Sequence, residues 1–259
     1  MTQRSIFITG AAAGIGAATA RRFHAHGWFV GLFDVDVAGV ERLAAELGGG
    51  RTLAGKLDVS NPADWEAALA TFVQRAGHLE VLVNNAGILA SGPFESIPRD
   101  RLQRIVDINV TGVINGCHAA FPYLRERKGA RVINMSSASA IYGQPSLAVY
   151  SATKFAVRGL TEALDLEWQE HGIRVMDVMP LFVQTAMVKG MDAKAIGRLG
   201  VGLGPEDVAA VIYEAATDAP LVPRVHRLVG NQIKFFYKVA GLAPDWLARL
   251  INQQIAKNH

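Results

Sequence analysis

The feature that most constrains the fold of this chain is an alternation of two kinds of segment. Short apolar runs rich in β-branched residues recur along it: SIFIT at 5–9, WFVGLFD at 28–34, TLAGKLDV at 52–59, LEVLVNN at 79–85, ARVINMS at 130–136, IRVMDVMP at 173–180 and PLVPRVHRLV at 220–229. Continuous apolar runs of this length read as strands buried on both faces, which is the pattern of a parallel sheet. Between them lie stretches of helical composition, among them 15–27, 37–48 and 61–77. The last has Asn61 as a predicted N-cap, Pro62 at the first helical position and Gly77 at its end. A β, α, β, α order with right-handed crossovers predicts an α/β fold, a doubly wound parallel sheet of about seven strands with helices on both faces.

Length and composition agree with a single domain spanning 1–259. The chain has 259 residues, half of them apolar, with no repeat or Pro/Ser-rich linker to divide it. Charged residues make up 19% and the formal net charge is +3, with the basic side chains scattered, so no nucleic-acid footprint is present. The single cysteine, Cys117, excludes an intrachain disulfide and fits a reducing compartment. The first residues, MTQRSIFITG, are too short an apolar stretch for a signal core, and no run nears the roughly 18 apolar residues of a spanning helix. A soluble, cytoplasmic protein is the expectation. The seven histidines show no metal-ligand spacing, so no metal is expected.

Directly after the first strand come Gly10, Ala13, Gly14, Ile15 and Gly16 in TGAAAGIG, a turn of small residues opening a helix. Glycines there let the backbone approach a pyrophosphate, whose charge faces the helix N-terminus. Asp34 ends the second strand, where a carboxylate accepts hydrogen bonds from the adenosine ribose and repels a 2′-phosphate. Neither Ala13 nor Val35 supplies a compensating cation, so NAD(H) is expected over NADP(H). The alternative makes Asp34 a solvated strand end or the N-cap of the next helix.

Tyr150 and Lys154 stand four apart in YSATK at the head of a helical stretch, on one face and a turn apart. Alone, such a pair reads as an amphipathic surface feature. Here it follows a strand ending in hydroxyl residues, with Ser137 thirteen positions before Tyr150. Ser137 can polarise a substrate carbonyl and stabilise a developing alkoxide. A phenol titrates near 10, so work near neutrality requires a fall of about three units, or about 4 kcal/mol. One cation at about 4 Å in an effective dielectric near 20 supplies roughly that.

TGxxxGIG at 9–16, Asn84-Asn85-Ala86-Gly87, Asn109, Ser137, Tyr150 and Lys154 together resemble the short-chain dehydrogenase/reductase family in order and spacing, over the chain up to about residue 230. The resemblance implies a Rossmann-type oxidoreductase that moves a hydride between a nicotinamide and an alcohol or carbonyl compound. It implies Tyr150 as general acid and base and Ser137 as the substrate-orienting hydroxyl. Lys154 would bind the nicotinamide ribose and lower the tyrosine pKa, and Asn109 would anchor a proton-relaying water. Asp58 and Val59 resemble the family's adenine contacts, and Asn85, Ala86 and Gly87 the segment that stabilises the sheet and lines the ribose. Ser136 and Ser139 rival Ser137, and the family spacing favours Ser137. After the sixth strand Pro180, Val183 and Thr185 keep the family pattern near the carboxamide, whereas Leu181 replaces its usual glycine. The family also implies a homodimer or homotetramer.

Substrate selectivity is expected from apolar loops beyond the strand ends, with Leu89, Ile141, Tyr142, Phe182 and Met187 as candidate contacts, all of which could instead simply pack. A hydrophobic small molecule is the expected substrate. Residues 182–204, rich in glycine, read as a lid. Residues 232–259 read as a C-terminal helical extension for packing, subunit contact or peripheral membrane association. Two rivals remain at this point: an NADP(H)-dependent reductase, and a dinucleotide sensor without turnover.

Overall fold

The computed structural model describes residues 3–189, 202–220, 222–231, 233, 234 and 237. Strands β1 (Ser5–Thr9), β2 (Phe29–Asp34), β3 (Thr52–Lys56), β4 (Val81–Asn84), β5 (Arg131–Met135), β6 (Arg174–Pro180) and β7 (His226–Val229) form one sheet in the order β3-β2-β1-β4-β5-β6-β7. Every neighbouring pair is parallel. The helices are α1 (Gly14–Ala25), α2 (Val37–Glu46), α3 (Pro62–Ala76), α4 (Arg99–Val106), α5 (Gly112–Leu124), α6 (Ala148–Glu167), α7 (Ala186–Lys189) and α8 (Pro205–Thr217).

The strands are apolar at successive positions because both faces are covered. On one face Ile6, Ile8, Val81, Val83, Ile133 and Val178 pack with Ala17, Phe23, Val40 and Ile212 of α1, α2 and α8. On the other, Phe7, Leu82, Val132 and Val175 meet Trp65, Leu69 and Phe72 of α3, Val113 of α5 and Val157 of α6. Phe7 stacks on Phe33 at 4.2 Å between ring centroids and meets Phe72 edge-on at 5.4 Å. Each such side chain, fully buried, contributes roughly 2 kcal/mol of transfer free energy.

The helix ends follow the sequence signals. The Asn61 side chain accepts from the Ala63 amide, Pro62 opens α3, and Gly77 closes it at φ +83°. Cys117 is a buried core residue whose thiol burial pushes up to about 12. Strand order reverses about β1, whose neighbours are β2 and β4, and this opens a crevice at the carboxyl ends of the strands.

Candidate active site

A cavity of about 390 Å³ occupies that crevice. Its first wall is the turn after β1. There Gly10 has φ +65°, and a Cβ on it would lie 2.9 Å from the Ala86 Cα. A Cβ on Gly16 would lie 2.1 Å from the Gly10 carbonyl oxygen, so Gly16 acts by close packing of helix against turn and does not itself line the cavity. Gly10, Ala13, Gly14 and Ile15 do line it, at the N-terminus of α1. This cradle of backbone with no side chain in the way fits a pyrophosphate.

Asn85 holds the cradle together. Its side-chain amide donates to the Thr9 and Gly10 carbonyls at 2.9 and 3.0 Å, while Thr9 Oγ1 accepts from the amides of Asn85 and Ala86. Ala86 and Gly87 continue the same wall. At the end of β2, Asp34 accepts from the Ala12 amide at 3.0 Å and from the Asp36 amide at 3.0 Å. The N-cap of α2 is Asp36, which accepts from Gly39, so the capping alternative for Asp34 is not what the chain adopts. Asp58 and Val59 line the same end. The Ser60 hydroxyl, donating at 2.6 Å, holds the Asp58 carboxyl below its usual range despite partial burial.

The opposite end gathers the residues expected for chemistry. Ser137 follows β5, and Tyr150 and Lys154 rise from the first turns of α6; all three face the cavity. The Ser137 hydroxyl lies near enough to Tyr150 to favour its ionised form. Lys154, buried, donates from Nζ to the Met135 carbonyl at 2.8 Å, and Nζ lies 5.5 Å from the centre of the Tyr150 ring. Ser136 donates to the Lys154 carbonyl at 3.4 Å, which places it behind the helix as a brace, although it too borders the cavity.

In the protein alone, burial pushes the Tyr150 phenol above its usual 10 and the Ser137 hydroxyl pulls it back. The Lys154 ammonium is itself stripped of water, which lowers it to about 8, and it donates its hydrogen bond to a carbonyl.

Asn109 sits in a π-helical turn, Asp107–Thr111, between α4 and α5, and is buried. Its oxygen accepts from the Ile88 amide at 2.8 Å and its two amide protons go to the Ile88 carbonyl and Thr153 Oγ1 at 2.8 and 3.2 Å. The side chain is thus a clamp between the segment after β4 and α6.

Of the candidate substrate contacts, Leu89, Phe182 and Met187 line the cavity, as do Pro180, Val183 and Thr185. Ile141 and Tyr142 do not. Ile141 packs with Ala138, Ala140 and Met179, and the Tyr142 hydroxyl accepts from Gln144 Nε2 at 3.1 Å. Leu181 needs no left-handed backbone, since Ser146 alone among the described non-glycine residues has positive φ, and it lines the cavity where a glycine would leave space. Val183 bridges to Leu203, which brings the two described ends of the 182–204 segment together; its residues 190–201, and nearly all of 232–259, lie outside the described residues. Sequence reasoning missed Gln144 and Arg104 on the cavity wall. They sit in no motif, and only the register of α4 and of the loop before α6 brings them there.

Among the described residues no group of His, Cys, Asp or Glu could hold a metal ion, and no helix is long and apolar enough to cross a membrane.

Residues 4–195 match the family model described as short chain dehydrogenase. The chain is 37% identical over 224 residues to oxidoreductase UcpA of Escherichia coli O157:H7, covering 85% of this chain and 82% of that protein. It is 38% identical over 212 residues to a 3-alpha-(or 20-beta)-hydroxysteroid dehydrogenase of Mycobacterium bovis, covering 82% and 81%. Among solved structures it resembles a 3-ketoacyl-(acyl-carrier-protein) reductase from Brucella melitensis complexed with NADH, with a TM-score of 0.80 and 32% identity over 88% of this chain and 98% of that one.

Proposed function

The chain belongs to the short-chain dehydrogenase/reductase family of oxidoreductases acting on alcohols and ketones, and from that premise we propose that it uses NAD(H) on a hydrophobic secondary alcohol, ketone or aldehyde, with Tyr150 as general acid and base. The observation that carries the reading is the convergence of Ser137, Tyr150 and buried Lys154 on the wall of the cavity whose other end is the glycine cradle.

When bound, the nicotinamide supplies the carbon that accepts or gives up the hydride, and in its oxidised form a positive charge. Everything else falls to the chain. Gly10, Ala13, Gly14 and Ile15 offer backbone to the pyrophosphate, Asp34 the ribose acceptor, and Asp58 and Val59 the adenine wall. Val183 and Thr185 flank the carboxamide side. Ser137 orients the substrate oxygen, and Tyr150 Oη gives it a proton in reduction or takes one in oxidation. Lys154 holds the nicotinamide ribose, and its ammonium then favours the phenolate together with the oxidised ring. Leu89, Phe182 and Met187 make the apolar pocket for the rest of the substrate. A homodimer or homotetramer is the proposed assembly, for which exposed Ile114 on α5 and Phe155 and Leu166 on α6 offer apolar surface.

Tyr150→Phe is expected to lose NADH-dependent reduction of a panel of hydrophobic ketones by about a thousandfold while NADH affinity changes little. Turnover retained in that variant would end the mechanism. NADP(H) is the second reading, favoured by Arg104 on the cavity wall and by Lys56, which stands in register beside Asp34.

A further inference from the structure

Behind Ser137 runs a chain of buried polar groups that the mechanism above leaves unused. Ser137 Oγ and Ser139 Oγ are 3.3 Å apart, Ser139 Oγ donates to Gln144 Oε1 at 3.2 Å, and Gln144 Nε2 donates to the Tyr142 hydroxyl at 3.1 Å. Ser139 and Gln144 are 3% and 7% exposed, and both line the cavity. The Gln144 backbone amide donates to Ser151 Oγ at 3.1 Å, which ties the loop to the residue beside Tyr150.

Each hydroxyl has one proton, so the direction of one bond fixes the next. With Gln144 Oε1 accepting from Ser139, the lone pairs of Ser139 face Ser137 and draw its proton. Ser137 is then left to accept from Tyr150, an arrangement that suits the neutral phenol. A half-turn of the terminal amide exchanges its donor and acceptor without moving the chain. Nε2 then donates to Ser139, Ser139 donates to Ser137, and the Ser139 backbone amide, already 3.2 Å from Ser137 Oγ, fills its other lone pair. The Ser137 proton must now point at Tyr150 Oη or at the substrate oxygen.

We propose that Gln144 is a positioning residue whose side-chain amide, acting through Ser139, sets whether Ser137 accepts a hydrogen bond from Tyr150 or donates one to the phenolate or the substrate carbonyl. This deepens the dehydrogenase reading and rests on it. The titratable group nearest Tyr150 on its own helix is Lys154, and from the loop it is Tyr142; Asp34, Asp58 and Arg104 belong to the walls after β2, after β3 and on α4.

Gln144→Glu keeps the shape but, ionised, can only accept, so it locks Ser139 and Ser137 in the direction that turns protons away from Tyr150. The ionisation of Tyr150 is read in the free protein as the tyrosinate absorbance lost in Tyr150→Phe. It is expected to move up by about one pH unit in Gln144→Glu, the worth of one hydrogen bond to a charged group. A new negative charge alone would also raise it, so the same substitution is repeated in a Ser139→Ala background, where the shift should fall to a small fraction. An equal shift with and without Ser139 overturns the proposal. Ser139→Ala alone carries no charge and is expected to raise the Tyr150 titration and to lower kcat for ketone reduction about tenfold with NADH affinity unchanged; an unaltered titration there likewise overturns it. Because the titration needs no substrate, failure of the parent protein to turn over any ketone would sink the dehydrogenase reading and leave this test standing by itself.

Discussion

Lys154 is buried, with its ammonium hydrogen-bonded to one carbonyl, and its pKa of about 8 against an ordinary 10.5 means that folding disfavours its charge. Below about pH 8 both folded and unfolded chains carry the proton. Between about 8 and 10.5 the unfolded chain holds the extra proton, so this group makes stability rise with pH there, by up to about 3 kcal/mol. Lys154→Met is expected to keep or raise the melting temperature at pH 7, to abolish that alkaline rise, and to lower turnover by about a hundredfold or more; calorimetry across pH with parallel kinetics checks all three. The same residue shows what sequence conveys and what it hides. Its spacing from Tyr150 and Ser137 was legible because a helix repeats every four residues and a strand ends at a hydroxyl. Its partner was not, because the Met135 carbonyl reaches it only through the packing of α6 on β5. Gln144 was illegible for the same reason, since an isolated amide in a loop signals nothing until its neighbours close round it.

At the level of elements, the strands and capped helices were open to reading where local signals act alone, as with Asn61, Pro62 and Gly77. The π turn at Asp107–Thr111 was not, because its apolar pattern runs on from α4 to α5 and the single-residue slip leaves no mark on composition. The edge strand β7 depends on another contact that sequence could not offer. His226 sits between Asp177 Oδ1 and Glu162 Oε1, both at 3.0 Å, and Arg158 reaches Glu162 at 2.8 Å and the Tyr237 hydroxyl at 3.4 Å. Burial works against a charged imidazole, but the bond to Asp177 and the two carboxylate charges outweigh it and Arg158, and hold His226 above its usual 6.5. A raised histidine stabilises fully below the unfolded value of about 6.5 and stops doing so as pH climbs through the folded one. The melting temperature of His226→Gln should therefore lie furthest below the parent's at about pH 6 and approach it in mild alkali; a gap that widens with pH would refute the assignment.

For the molecule as a whole, the alternation of apolar runs and helical stretches was enough to foresee a doubly wound sheet, because strands buried on both faces admit few other arrangements. It was not enough to choose the cofactor, which turns on Asp34, Lys56 and Arg104 standing near one another only after the sheet and α4 have assembled. A ligand that binds only the folded chain stabilises it by about 2.7 kcal/mol at a hundred times its Kd. NADH is therefore expected to raise the unfolding midpoint by several degrees at concentrations where NADPH leaves it unchanged, and Asp34→Ala should narrow that difference; a larger shift with NADPH would reverse the preference. The knot that Asn85 ties between the ends of β1 and β4 bears on how any such nucleotide arrives. Two carbonyls of the turn are fastened to a neighbouring strand before a guest is present, so docking at that end freezes little additional backbone, and the free energy released there goes into affinity instead of into shaping the host.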